Sequence, residues 1–447
     1  MIMRYTSAEM ASLWSEEAKL SRWRDVAVAV AVAQHELGLV PAEALNEIRA
    51  APVPPVERVR QIEADTRHDV VAFLKAFTER MDTTTTGFVH RNLTSSDIVD
   101  TAQAMALRTA NDWILAGASR FTMALASQSL KHRNTICVGR THGQAAAPDV
   151  FGHRLADFAF AVERSVARLA AVGNELAVLN LTGPVGTGID LTPRLRDQVA
   201  SRLNLGVPKT STQVLFRDAL ATWVADLAVL GGICEAFATD VRLGAHDGVA
   251  EVSEGRGPNQ VGSSSMPHKR NPVTAEQICG FARLLRGYVG PAMEDIALWQ
   301  HRDLSHSSVE RVVIPDAAAL TEHLLLKSTQ LCSGLVVDVE RMMENVERAG
   351  RNLASSRMLT ELLAAGMDRT EAMTASEAWA EAADRAERAE REVDQDADAS
   401  PPLGRTPLEP AVATAAQEVL DSETLRTLFA DVEKLVDRGV KDLPAPR

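Results

Sequence analysis

Gly262-Ser263-Ser264-Ser265-Met266-Pro267-His268-Lys269-Arg270-Asn271-Pro272 is the stretch from which the fold can be argued. A glycine, three hydroxyls, three potential cations and an amide stand together without apolar periodicity, so the segment makes a poor helix and a poor strand. It reads as a loop that can carry a hydroxyl nucleophile or base and bind carboxylates. Around it the chain reads as helix. No proline occurs between Pro55 and Pro148, or between Pro208 and Pro258. In the second gap Leu220, Val224, Leu227, Gly231, Cys234, Ala238 and Val241 recur at alternating steps of four and three, which is a heptad seam. Leu230, Ile233 and Phe237 add apolar residues on other faces, so this helix belongs inside a bundle, with Gly231 and Gly232 permitting close helix approach.

Composition sets limits on function. The 447 residues are 46% hydrophobic and 24% charged, an ordinary globular balance, and only 4% aromatic. A formal charge of −13 argues against a general nucleic-acid binder but leaves room for a local basic pocket that holds a small polyanion. Cys137, Cys234, Cys279 and Cys332 form no C-x-x-C pair and lie in apolar or helical context. Reduced structural thiols in a reducing compartment are expected, with no metal. The start Met1-Ile2-Met3-Arg4-Tyr5 lacks a long apolar core, and no uninterrupted apolar run reaches the ~18 residues of a membrane span. A cytoplasmic protein without membrane or nucleic-acid partners is expected.

The chain divides by its breaks into a small helical domain over 1–110, a central long-helix bundle over 111–363 and a C-terminal helical domain over 364–447. Ser7 ahead of Glu9 marks a helix start, and Pro52, Pro54 and Pro55 mark a break. The acidic and then proline-rich run from Glu390 to Pro410 predicts a loop between the last helices. No strand-rich segment competes, so the predicted class is all-α.

Four polar clusters interrupt the helices: Arg67-His68-Asp69, His90 to Asp97, Gly139 to Gln144, and the loop already quoted. Each has a plain structural explanation. Thr94-Ser95-Ser96-Asp97 suits a helix N-cap, and His142 suits a surface histidine. In a fifth segment, Arg302 to Arg311, two arginines stand nine apart around hydroxyls and histidines. A continuous helix would put both on one face, suited to phosphate. The alternative is a surface salt-bridged to Asp303 and Glu310.

The order of these clusters resembles the fumarase/aspartase superfamily over essentially the whole chain. The quoted loop is similar to the superfamily's signature. Its Pro267-to-Pro272 ending and Arg302-Asp303-Leu304-Ser305-His306-Ser307-Ser308-Val309-Glu310-Arg311 resemble the adenylosuccinate lyase branch. The resemblance implies an all-α homotetramer with active sites shared by three subunits, a small succinyl-nucleotide substrate and no cofactor. It implies anti elimination of fumarate, from adenylosuccinate and from its imidazole-carboxamide counterpart, in purine biosynthesis. By that resemblance Ser263 is the base, and His142 the acid with Glu276 as its orienting partner. His68 is a second histidine of the site. Lys269, Asn271, Thr94, Ser95 and Thr141 hold the succinyl carboxylates, and Arg67 and Asp69 belong to the substrate site. Gln213 contacts the middle of the substrate. Arg4, Tyr5, Arg302, Ser307 and Arg311 hold the phosphate.

Some positions depart from the branch. Asn92 replaces a usual glycine, Gln144 to Pro148 lacks an acidic residue, and Gln300-His301 replaces His-Glu. These leave room for a lyase acting on another amino- or nitro-succinyl compound, or for a muconate-type cyclisation. A catalytically silent helical scaffold is the remaining alternative.

Overall fold

The computed structural model describes residues 2–255, 266 and 268–395. After a short 3-10 turn at Met3–Tyr5, the first half runs α1 (Ala8–Leu13), α2 (Glu16–Glu36), α3 (Ala42–Ala50), α4 (Val56–Thr66), α5 (Asp69–Thr78), α6 (Thr83–Thr86) and α7 (Ser95–Lys131). Strands β1 (Ile136–Thr141) and β2 (Gln144–Val150) follow, then α8 (Phe151–Leu176), α9 (Pro193–Leu203) and α10 (Asp218–Gly244). The remainder is β3 (Val252–Ser253), α11 (Val273–Glu294), α12 (Ser305–Ser333), β4 (Val336–Val337), α13 (Val339–Ala349), α14 (Ser355–Ala364) and α15 (Arg369–Gln395).

Local chemistry sets these boundaries. Ser7 caps α1 by accepting from the Met10 N–H at 3.0 Å, and Ser15 caps α2 through Ala18 at 3.1 Å. The three prolines fall between α3 and α4, where a chain without N–H donors cannot continue a helix. Thr192 caps α9 with Pro193 at its first position, and Asn204 closes that helix in the left-handed region.

The chain forms two compact units. The first comprises Met1–Arg120, Val162–Ala238 and Glu276–Ser328. Its core includes Leu20, Trp23, Phe73, Ile98, Leu181 and Val199. Trp23 meets Phe73 edge-to-face at 5.5 Å. Two buried polar side chains there are linked: Trp223 donates to Asn111 at 3.0 Å, and Asn111 donates to the Leu169 carbonyl at 3.1 Å. The second unit comprises Phe121–Ala161, Thr239–Ala275 and the chain from Thr329 onward. It contains an apolar cluster around Met358, Leu362 and Trp379, and another joining Val138, Val346 and Leu353.

The core-helix reading holds. Leu220, Val224, Leu227, Cys234, Ala238 and Val241 are all buried in α10. A Cβ on Gly231 would meet Leu285 at 2.9 Å, so that glycine does permit close approach of α11. Gly232 faces open space and does not. Among the described residues α10 is long and apolar enough to cross a membrane by length and composition alone, yet 56% of its most apolar window is buried within the protein. None of the four cysteines forms a disulfide, and all are buried.

The all-α class holds, with two small additions: β1 and β2 form an antiparallel hairpin, and β3 pairs with β4. Two expectations are corrected. Arg302 and Arg311 do not share one helix, because Asp303 accepts from the Ser305 N–H at 2.7 Å and α12 starts only at Ser305. The predicted loop from Glu390 begins as helix, since α15 continues to Gln395; its remainder lies outside the described residues.

Candidate active site

A cavity of about 420 Å³ opens in the first unit. Its walls carry Arg67, His68 and Asp69 ahead of and within α5, Ser95 at the start of α7, and Arg302, Ser307 and Arg311 at the head of α12. Seven of the residues singled out in the sequence thus meet in one place. Arg67 adopts a left-handed C-cap conformation (φ 52°) that ends α4 and turns the chain into α5. His68 caps α5, its Nδ1 facing the Val71 N–H at 3.4 Å. Asp69 accepts from Arg311 Nη2 at 2.6 Å and from the Val70 N–H at 2.7 Å. Burial would raise its carboxyl, but these bonds hold it below the ordinary range. Arg311 therefore pairs with Asp69 rather than Glu310, and Arg302 donates to Gln213 Oε1 at 2.8 Å rather than to Asp303.

The cavity wall also carries a buried ionic cluster whose pairing the sequence reading missed. Arg217 donates to Asp100 at 2.9 and 3.0 Å and to Glu310 at 2.7 and 3.4 Å. Gln103 adds a bond to Glu310 at 3.1 Å. Burial would lower the guanidinium pKa, but the two carboxylates overcome it and hold Arg217 firmly charged. Glu310 is raised, chiefly by burial. His306, 4% exposed, also lines the cavity; burial first, and then Arg217, push it down to about 4, so it is neutral at pH 7.

Asp97 organises the entry to α7. Fully buried, it accepts from the N–H groups of Thr94 at 2.7 Å, Thr182 at 2.9 Å and Gly183 at 3.2 Å. Burial outweighs these bonds and pushes its carboxyl up to about 6. Thr94 immediately precedes α7 and is held by this contact, which makes the Thr94-to-Asp97 run a helix start that also borders the cavity at Ser95. Asn92 takes the left-handed conformation (φ 65°) expected of it.

Other candidates of the first unit stand elsewhere. Gln213 bonds Arg302 and donates to the Pro184 carbonyl at 2.8 Å. Arg4 is exposed in the 3-10 turn, and Tyr5 packs edge-on against Phe281 at 4.9 Å, with His323 at 5.6 Å. Glu276 is exposed in the first turn of α11.

In the second unit, His142 and Gly143 form the two-residue turn of the β1–β2 hairpin. Their φ values of 53° and 78° fit a type I′ turn, the one whose twist suits a tight hairpin. Thr141 and His142 are exposed at its tip. The hairpin is pinned from below: Arg140 forks onto Glu251 at 3.0 and 2.7 Å, and Asn345 donates to the same carboxylate at 2.7 Å. Lys269 is exposed and Asn271 half-buried, both ahead of α11. Ser263 lies outside the described residues.

Glu251, Asn345, Asp100, Gln103 and Arg217 carried no signal in the sequence. Each is a lone polar residue in a helical or loop context, and only the tertiary fold pairs it. Among the described residues no three His, Cys, Asp or Glu side chains gather as a metal site.

Residues 3–287 match the family model described as Lyase, which is more than half of the chain. The chain is 41% identical over 384 residues to the adenylosuccinate lyase of Synechocystis, covering 85% of this chain and 89% of that one. It is 37% identical to the adenylosuccinate lyase of Bacillus subtilis over the same span and shares. This chain belongs to the adenylosuccinate lyase family of the fumarase/aspartase superfamily. Solved structures agree on the fold of that superfamily. A fumarate lyase from Mesorhizobium superposes with a TM-score of 0.83 at 24% identity, covering 99% of this chain and all of that one (100%). A 3-carboxy-cis,cis-muconate lactonizing enzyme from Pseudomonas putida gives 0.82 at 26% identity, covering 98% and 97%.

Proposed function

We propose that this adenylosuccinate lyase family member eliminates fumarate from adenylosuccinate, leaving AMP, and from its imidazole-carboxamide counterpart, in purine biosynthesis. A proton leaves the carbon next to a succinyl carboxylate, the electron pair forms the fumarate double bond, and the C–N bond breaks. Ser263 takes that proton; as a poor base at neutral pH it acts as an alkoxide stabilised by loop N–H groups and positive charge. His142 returns a proton to the departing nitrogen, with Glu276 as its orienting partner. The intermediate carries its charge on a carboxylate, where fixed donors and a cation stabilise it best. Lys269 and Asn271, with Thr94, Ser95 and Thr141, take that role. Arg302, Ser307 and Arg311, with Arg4 and Tyr5, hold the phosphate. Arg67, His68 and Asp69 frame the nucleotide, and Gln213 contacts its middle. The acting species is a soluble, cytoplasmic homotetramer whose sites are shared by three subunits, with each chain divided at 110 and 363.

The observation that carries the reading is the cavity in which Arg302 and Arg311 flank Ser307. Each arginine spends one guanidinium nitrogen on a side chain, Arg302 on Gln213 and Arg311 on Asp69, and keeps the rest of its fork for a ligand. A substrate without phosphate has no use for such a pair. The likeness to the muconate lactonizing enzyme keeps a second reading in play, cyclisation or elimination on a phosphate-free acid. Following adenylosuccinate loss by absorbance separates them. Conversion to AMP and fumarate supports the first reading. Inertness toward adenylosuccinate with turnover of a phosphate-free succinyl or muconate acid supports the second.

A further inference from the structure

Arg217 lines the cavity together with both phosphate arginines, but its own donors are engaged by protein partners. Its side chain is 6% exposed, and its fork is spent on Asp100, Glu310 and the Leu215 carbonyl, the last at 2.9 Å. Two routes lead outward from it. The first runs through Glu310, which sits one residue before Arg311 and three after Ser307 in the first turns of α12, so fixing its carboxylate fixes the helix that presents both. The second runs through Leu215. Its carbonyl is held by Arg217, and its N–H donates to Asp100 at 3.2 Å. Two residues earlier in the same segment, Gln213 accepts from Arg302. One buried guanidinium therefore ties down the supports of both cations.

Charge leads to the same place. Asp100 and Glu310 are two buried carboxylates in the wall of the cavity that would hold a phosphate, which they would repel. Arg217 is the cation paired with both. Building on the function proposed above, we propose that Arg217 is the positioning residue of the phosphate clamp. It sets the spacing of Arg302 and Arg311 and screens the bound phosphate from Asp100 and Glu310. A lysine keeps the charge but cannot make the fork, so the identity of the residue matters as well as its sign.

The test is calorimetric binding of AMP and of adenosine to the whole protein and to Arg217→Lys, with kcat and KM for adenylosuccinate alongside. Parent protein should prefer AMP over adenosine. In Arg217→Lys that preference should fall tenfold or more, KM should rise, kcat should change less than threefold, and adenosine binding should stay within twofold. A purely structural arginine would instead weaken AMP and adenosine alike, which overturns the proposal, as does an unchanged preference. If Arg217→Lys does not fold, Glu310→Gln keeps the size and an acceptor for Arg217. It also removes one of the two carboxylates that repel the phosphate, so it should raise the preference for AMP at least threefold, and an unchanged or lowered preference there also overturns the proposal. Parent protein with no preference for AMP would instead count against the proposed function, which separates the two failures.

Discussion

Replacing Glu251 with alanine should loosen the hairpin that carries Thr141 and His142. In the native chain the Glu251 carboxylate takes two charge-assisted bonds from Arg140 and one from Asn345. Its side chain is 8% exposed and that of Arg140 28%. Charge-assisted bonds are worth roughly 1.5–3 kcal/mol each and the amide bond about 1 kcal/mol. Arg140 recovers part of this from water once freed, so the net loss should be about 2–3 kcal/mol. At about 2 cal/mol/K per residue over 447 residues, that loss lowers the melting temperature by about 2–3 °C. The chemical effect should be larger than the thermal one. A general acid displaced by about 1 Å can cost on the order of 100-fold in rate, so kcat should fall about 10- to 100-fold. KM should move little, because the phosphate residues lie in the other compact unit. Calorimetric melting and steady-state kinetics on Glu251→Ala test both numbers. A variant that melts within 1 °C of the parent and keeps its kcat refutes the claim that this pin holds the turn; a rise in KM with kcat intact refutes the role given to His142.

Four further outcomes are expected. Arg302→Ala and Arg311→Ala should each raise KM for adenylosuccinate more than they lower kcat, with little change for a phosphate-free analogue. Gly143→Ala should cost about 1–2 kcal/mol from its left-handed backbone alone, since nothing lies within 4 Å of the added Cβ; Gly139→Ala should cost more, because its Cβ would stand 2.8 Å from the Ala147 carbonyl oxygen. Burial, helped by His68, holds His90 down to about 4, and burial with Arg217 does the same for His306. Both then bind protons more weakly folded than unfolded (about 6.5), so stability should be lost as pH falls from about 6.5 toward 4, by up to about 3 kcal/mol each, and His90→Gln should flatten that limb in pH-dependent denaturation. Asp97, pushed up to about 6, runs the other way: its contribution is full below about 4 and is lost as pH rises through 6, so Asp97→Asn should remove that opposing slope.

The helices were legible because burial imposes a repeat on the sequence, as in α10, and because caps such as Ser7 announce themselves locally. Arg67 to Asp69, Ser95 and Arg302 to Arg311, which meet at one cavity, stood out in the sequence as candidates because each gathers several polar groups where a helix starts. The hairpin was not. Its strands include Gly139, Ala145 to Ala147 and Pro148, which give no period-2 pattern, and only the left-handed turn at His142-Gly143 reverses the chain. The continuous helix expected over 302–311 failed for a local reason, the Asp303 cap. Arg217, Asp100 and Glu251 were silent because a buried ion pair joins residues that are about 100 positions apart, a relation no local pattern records.

The account rests on a serine base that acts on a substrate anchored through its phosphate. The most direct measurement is turnover of adenylosuccinate by Ser263→Ala, with AMP binding measured on the same sample. Loss of turnover by roughly a thousandfold or more, with AMP affinity within threefold of the parent, is the predicted result. A variant that still releases fumarate at a rate near that of the parent contradicts it.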